Sequence, residues 1–336
     1  MGIFGRDPLQ IIVFQSYGTN SHFYTRGRAL QDEKINLDQE NFFSLLINTW
    51  KRFESDEVKN TAITITLPNN FKINTVTDSA GYFIVDKKIE NLSNLANEEG
   101  WLHFEASYSN ENVGRAINNK NRFPGELLIP AENAAFGVIS DIDDTILHTG
   151  VVSTFKWRLL VNTFFKSPSK RKALEGAANF YNLLHLGKTG KNANPIFYVS
   201  HSPWNLYRYL EVFLKKNNFP KGAILLRTFG NIFQKKTPKT KPQKQKEIVN
   251  ILKTYTNLSF ILIGDAGEYD ADIYIEIVKL YPNRIKAIYL RSVKHVKKMA
   301  RIKKLIKNYF DTPILIVHSS EEAIEHAKKH GFINTR

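Results

Sequence analysis

Residues 136–145 read Phe-Gly-Val-Ile-Ser-Asp-Ile-Asp-Asp-Thr, an apolar run that stops abruptly at Asp141, Asp143 and Asp144. The apolar part predicts a buried strand. Three carboxylates packed within four residues repel one another, so the fold must offset them with something cationic. A hard divalent ion with oxygen ligands is the simplest candidate. Side chains alternate along a strand, so Asp141 and Asp143 point to the same side and both can reach one centre just past the strand end. Open parallel α/β sheets bind their ligands in that crevice.

Two further apolar runs end in the same way. Pro195–Val199 leads into Ser200-His201-Ser202-Pro203-Trp204, where Ser202 is suited to cap a helix with Pro203 at its first position. Phe260–Ile263 leads into Gly264-Asp265-Ala266-Gly267, followed by Asp270. The two glycines let the backbone turn tightly beneath a ligand, and Asp265 and Asp270 add oxygen donors. The stretch 235–246 is crowded with lysines, any of which could bring a fixed positive charge to such carboxylates.

The D-x-D-x-T spacing resembles the first motif of haloacid-dehalogenase-like phosphohydrolases, and the GD-x4-D loop resembles their fourth. The ordered strings SDIDDT, FYVSHSPWNLY, FPKGAILLR, LIGDAGEYDADIY and YPNRIKAIYLR resemble, more narrowly, the catalytic domain of the App1 family of phosphatidate phosphatases, over roughly residues 130–336. The resemblance implies removal of phosphate from phosphatidic acid to give diacylglycerol. Asp141 would be the nucleophile, Asp143 the general acid and base, and Ser200 and Lys244 the phosphate-binding groups. Mg²⁺ would be held by Asp141, Asp143, Asp265 and Asp270. Lys244 is favoured over Lys241 and Lys246 by its distance before Gly264-Asp265. Two departures stand out: Ala266 where the family has Ser, and Gln243 where it has His before the lysine.

The second half alternates strands with helical patterns. Strands are predicted at 136–140, 195–199, 223–227, 259–263, 286–290 and 313–317, and helices near 203–217, 243–254, 270–279, 294–309 and 320–330. This is the pattern of an α/β fold with a doubly wound parallel sheet, of haloacid-dehalogenase type without a large cap if the resemblance holds. A helical excursion carrying Trp157, Phe164 and Phe165 lies between the first two motifs, and 230–242 reads as a basic loop. Neither interval is long enough for a full cap, and an open site suits a phosphate presented on a membrane or polymer.

The first half instead shows short alternating runs at 10–14, 23–29, 61–66 and 81–85, as in an antiparallel β-sandwich. Thr77-Asp78-Ser79-Ala80-Gly81-Tyr82-Phe83 resembles a hairpin of transthyretin-like and carboxypeptidase-regulatory-like modules. Residues 41–53 have helical spacing, and 119–125 read as turn-rich. The boundary is placed near 128, giving a sandwich domain at 1–128 and a phosphatase domain at 129–336.

The chain contains no cysteine, which excludes thiolate chemistry, disulfides and cysteine-based zinc sites. The amino terminus lacks a basic region followed by a sustained apolar core, and no stretch is long enough to cross a bilayer. The expected location is cytoplasmic, with membrane contact peripheral. A formal charge of +15 draws the protein toward anionic surfaces, with a phospholipid membrane favoured over nucleic acid. Residues 294–307 form a basic amphipathic pattern, with Val296, Met299, Ile302, Leu305, Ile306 and Tyr309 on one stripe and Lys297, Lys298, Arg301 and Lys304 elsewhere. Packing of this stripe on its own sheet is favoured, leaving the lysines available to lipid head groups. Alternative functions are the same chemistry on a soluble or nucleic-acid phosphomonoester, and a non-catalytic phospholipid-binding scaffold. Oligomeric state is not legible in the sequence.

Overall fold

The computed structural model describes residues 7–31, 57–110, 115–131, 133–142, 168–227, 242–267, 269–293, 295–307 and 312–335. The chain divides into two compact units, Met1–Ile129 and Pro130–Arg336. Among the described residues no helix is long and apolar enough to cross a membrane. The expected helix at 41–53, the aromatic excursion at 157–165 and the loop at 230–241 lie outside the described residues.

In the first unit the alternating runs become strands of two sheets. One sheet holds β1 (Leu9–Phe14), β3 (His22–Gln31) and β6 (Tyr82–Lys88) in the order β1-β3-β6. The other holds β2 (Ser16–Tyr17), β4 (Ala62–Thr66), β5 (Lys72–Val76), β7 (Trp101–Tyr108) and β8 (Phe123–Leu128), ordered β2-β8-β7-β4-β5. Period-two alternation sends Leu9, Ile11 and Val13 of one sheet and Ile63, Ile65, Leu102 and Phe104 of the other into a single buried cluster. Phe23 meets Phe104 edge-on across it, with ring centroids 5.2 Å apart.

Two expectations are corrected here. Residues 119–125 are not all turn: Asn118–Asn121 form a 3₁₀ turn, and the strand β8 begins at Phe123. Pairing with β7 opposite, which is rich in aromatic residues, decides this: Phe123 and Gly125 pair with Ala106 and Phe104. The segment around Asp78 is not a hairpin within one sheet, because it carries the chain from β5 in one sheet to β6 in the other. Asp78 makes that crossing tight by accepting the backbone N–H groups of Ala80 and Tyr82 at 2.8 and 2.9 Å.

The second unit is built on six parallel strands: β9 (Gly137–Asp141), β10 (Ile196–Pro203), β11 (Ala223–Arg227), β12 (Phe260–Asp265), β13 (Ile285–Arg291) and β14 (Ile314–Val317). Their order is β11-β10-β9-β12-β13-β14. Helices α1 (Pro168–Leu186), α2 (Tyr207–Lys216), α3 (Gln243–Thr254), α4 (Asp270–Leu280) and α5 (Val296–Ile306) fall between successive strands, and α6 (Ser320–Lys329) follows β14. Adjacent residues of β10 show that both faces are covered. Tyr198 stacks on Tyr181 of α1, whereas Phe197 packs against Tyr255 at the end of α3.

The sequence places Ser202 and Pro203 at a helix start, and the structure moves that start. β10 runs through Pro203, a 3₁₀ turn follows at Trp204–Leu206, and α2 begins at Tyr207 with Leu206 as its uncapped N-cap. The register with β11 shifts between Val199 and Pro203, so the bulged strand absorbs the residues that would have begun the helix. The predicted helix at 294–309 is shorter, at Val296–Ile306. Of its stripe Ile302 is fully buried, Met299, Leu305 and Ile306 are partly so, and Val296 is exposed.

The entry to β9 is fixed by Asn194, which is fully buried. Its Oδ1 accepts the backbone N–H of Ala135 at 2.8 Å and lies 3.4 Å from that of Phe136, while its Nδ2 donates to the Leu184 carbonyl at 2.8 Å. Asn194→Ala leaves these backbone groups buried without partners, and the expected loss is about 2–4 kcal/mol. Denaturant unfolding, read as a lowered midpoint at an unchanged slope, checks this.

Candidate active site

A parallel sheet whose strand order reverses direction between neighbours opens a crevice at the carboxyl ends of those strands. Here the reversal falls between β9 and β12, the first and fourth strands of the unit, which end in Asp141 and Asp265. Val199 of β10 pairs level with Asp141, so Ser200 follows directly on the other side. Strand pairing alone therefore gathers Ser200, Asp141 and Asp265 at three adjacent strand ends.

Helices bring in the remaining groups. Lys244 lies in the first turn of α3 and Asp270 opens α4. The Lys244 Nζ is 2.7 Å from Asp141 Oδ1 and 2.5 Å from Asp270 Oδ1. Asp270 Oδ2 accepts the backbone N–H of Asp265 at 3.1 Å, and Asp265 Oδ1 accepts that of Gly267. Gly264 has to be glycine for this arrangement: a β-carbon there would lie 2.5 Å from Asp270 Oδ2 and within 3 Å of the Tyr274 ring and hydroxyl. Ser200 Oγ accepts the Ser202 N–H at 2.8 Å, which fixes its rotamer beside the crevice.

The site is buried and charged. Asp141, Asp265, Asp270 and Lys244 are each no more than 2% exposed. Burial by itself depresses the Lys244 pKa, but the attraction of Asp141 and Asp270 outweighs it, and the ammonium is held above its ordinary range. Burial pushes the Asp270 carboxyl up, against the pull of Lys244 and with the added repulsion of Asp141. Among the described residues, three buried carboxylates, Asp141, Asp265 and Asp270, gather around the one buried ammonium of Lys244. Among the described residues no group of three acidic or imidazole side chains is close enough to hold a metal by itself. Asp143, expected to complete such a set, lies outside the described residues, as does Lys241; Lys246 is exposed.

Several contributing residues carry no sequence signal. Ser140 Oγ donates to the Asp141 carbonyl at 2.8 Å and so receives its own bond from Tyr181, 2.6 Å away on α1. Burial raises the pKa of Tyr181, which keeps it a donor. Tyr274 of α4 donates to the Ile263 carbonyl at 2.8 Å. A hydroxyl amid apolar residues has no fixed spacing to a catalytic group, so only the tertiary fold reveals these contacts.

Residues 136–292, which include Asp141, Ser200, Lys244, Asp265 and Asp270, match the family model described as the catalytic domain of phosphatidate phosphatase APP1. The stretch that carries the cluster is thus similar to a phosphatase catalytic domain. Phosphatidate phosphatase APP1 of Saccharomyces cerevisiae is 32% identical over 242 residues, covering 71% of this chain and 39% of that protein. An uncharacterized protein of Schizosaccharomyces pombe is 29% identical over 275 residues, covering 80% of this chain and 41% of its own length. The chain thus spans about two fifths of these curated relatives. A crystal structure of Bacteroides thetaiotamicron EndoBT-3987 with Man5GlcNAc product covers 96% of this chain and 94% of that one, but at 8% identity and a TM-score of 0.24 it carries no argument.

Replacing Lys244 by Met removes the cation between two buried carboxylates. The expected loss of stability is about 3–5 kcal/mol, partly recovered when Asp270→Asn is added, since that removes one of the stranded charges. Thermal and denaturant unfolding of the single and double variants check this.

Proposed function

We propose that this chain is a Mg²⁺-dependent phosphatase that removes phosphate from phosphatidic acid, working through Asp141. The observation that carries the reading is the buried Asp141 carboxylate held by Lys244 at the reversal of strand order, inside the stretch that matches a phosphatase catalytic domain. The second unit is then of haloacid-dehalogenase type, and the first, with two sheets closing on one core, a β-sandwich. The protein works from the cytoplasmic side and meets the membrane peripherally.

In this reading an Asp141 oxygen attacks phosphorus as the bond from phosphorus to the glycerol oxygen breaks, and Asp143 gives that oxygen a proton. Water, losing a proton to Asp143, then attacks the aspartyl-phosphate, freeing phosphate and regenerating Asp141. Ser200 donates a hydrogen bond to the phosphoryl oxygens. The Lys244 charge orients Asp141 and offsets the repulsion between carboxylate and phosphate. Asp141, Asp143 and Asp265 would hold Mg²⁺, which would supply positive charge to offset that of the phosphoryl oxygens. Asp270, counted among the ligands from the sequence, supports the site by holding Lys244 and the Asp265 turn.

Phosphate release from phosphatidate vesicles, phosphorylated oligonucleotides and soluble phosphomonoesters, with Mg²⁺ and after chelation, tests the proposal. Release confined to lipid and abolished by chelation is expected, and preference for the oligonucleotide would move the substrate to a polymer. Asp141→Asn should lower turnover by a thousandfold or more, on the order of 4 kcal/mol in the barrier, while unfolding stays cooperative. Asp143→Asn should slow phosphatidate more than an activated aryl phosphate, whose leaving group needs no proton. Equal losses on the two substrates would remove Asp143 from the acid and base role.

A further inference from the structure

The two most exposed large apolar side chains among the described residues are Val296, 84% exposed, and Tyr269, 76% exposed. They belong to different elements but to one seam. Tyr269 immediately precedes α4, two residues after Gly267, and Val296 opens α5, two residues before Lys298. The seam is closed by contacts on both sides. Lys298 Nζ donates to the Gly267 carbonyl at 2.5 Å, and a β-carbon at Gly267 would sit 3.0 Å from Val293. Arg301 grips Asp272 of α4 with two bonds of 2.9 Å. The turn that carries Asp265 is therefore tied directly to the amino-terminal half of α5.

That end of α5 lies at the carboxyl edge of the sheet, beside the crevice. Lys297, Lys298 and Arg301 follow Val296 within five residues on α5, and all three are exposed. Val296 adds nothing to the packing of α5, whose buried contact is Ile302. Exposed apolar groups beside exposed cations, on a chain of formal charge +15, fit a surface that is apolar within and anionic at its face. We propose that Tyr269 and Val296, with the exposed Lys297, Lys298 and Arg301, form an interfacial anchor that seats the crevice end of the parallel sheet on an anionic bilayer. The anchor deepens the lipid-phosphate reading and rests on it for its purpose: it presents the catalytic crevice to substrate held in the membrane. Apart from Tyr269, Asp272 and Gly267, its residues lie beyond the stretch that matches the catalytic-domain family.

The test needs no turnover. Because the chain lacks cysteine, V296C can carry a single environment-sensitive fluorophore in the full chain, with K329C, about 13 Å along α6 from its start and so toward the opposite sheet edge, as the comparison. Vesicles of phosphatidylcholine, alone or mixed with phosphatidylserine, contain no phosphatidate. A blue shift of the 296 label with the mixed vesicles, weaker with phosphatidylcholine alone and falling with added salt, is expected, with the 329 label silent. Tyr269→Ser with Val296→Ser should lower vesicle sedimentation several-fold at an unchanged melting temperature. A silent 296 label on protein that sediments, equal shifts at both positions, or a shift with an oligonucleotide but not with vesicles would overturn the anchor. Failure to release phosphate from phosphatidate with the 296 shift intact would instead overturn the substrate reading.

Discussion

The second unit depends on one buried cation. Lys244 is desolvated at a cost that only its two carboxylate partners offset, and those partners come from different elements: Asp141 from the end of β9 and Asp270 from the start of α4. Its ammonium therefore fixes where α3 and α4 stand relative to the central strand. The same carboxylate that holds Lys244 also holds the backbone of Asp265, so the lysine sets the turn after β12 through one intermediary. A group with this role cannot be replaced by an apolar side chain without stranding charge in a buried site.

The sheet makes the cluster possible. Strand order reverses between β9 and β12, so the helices that follow them lie on opposite faces and the two strand ends meet at one crevice. Tyr181, Ser140 and Tyr274 pin the backbone of these strand ends from both sides. The charged groups thus sit on a frame already fixed by neutral hydrogen bonds, which is what a preorganised electrostatic site requires.

The parallel half was legible because its strands are buried on both faces and read as continuous apolar runs, each ending where polar residues begin. All six predicted strands are present to within a few residues. The antiparallel half was harder to read. The alternating runs point to β1, β3, β4 and β6 but to none of β2, β5, β7 and β8, and the Asp78 turn reads as a hairpin although its flanking strands enter different sheets. Local pattern records the turn but not which strand will pair beyond it, since pairing is decided by partners far along the chain. The stripe on α5 shows the same limit: its spacing predicted a packed helix, and the fold buries Ile302 while leaving Val296 in the open at the crevice rim.

The sequence by itself determined the chemistry available: carboxylates at strand ends, a lysine-rich helix start, no thiol, and an excess of positive charge. It also determined the parallel sheet, because apolar runs and helical periods are local properties of the chain. Tertiary structure alone decided that Lys244, and not the exposed Lys246, faces Asp141, and that Asp270 is spent on that lysine and on the Asp265 turn. It also decided that Lys298 reaches back to Gly267. These choices join residues tens to more than a hundred positions apart, and whether a charge is buried or solvated depends on what packs over it.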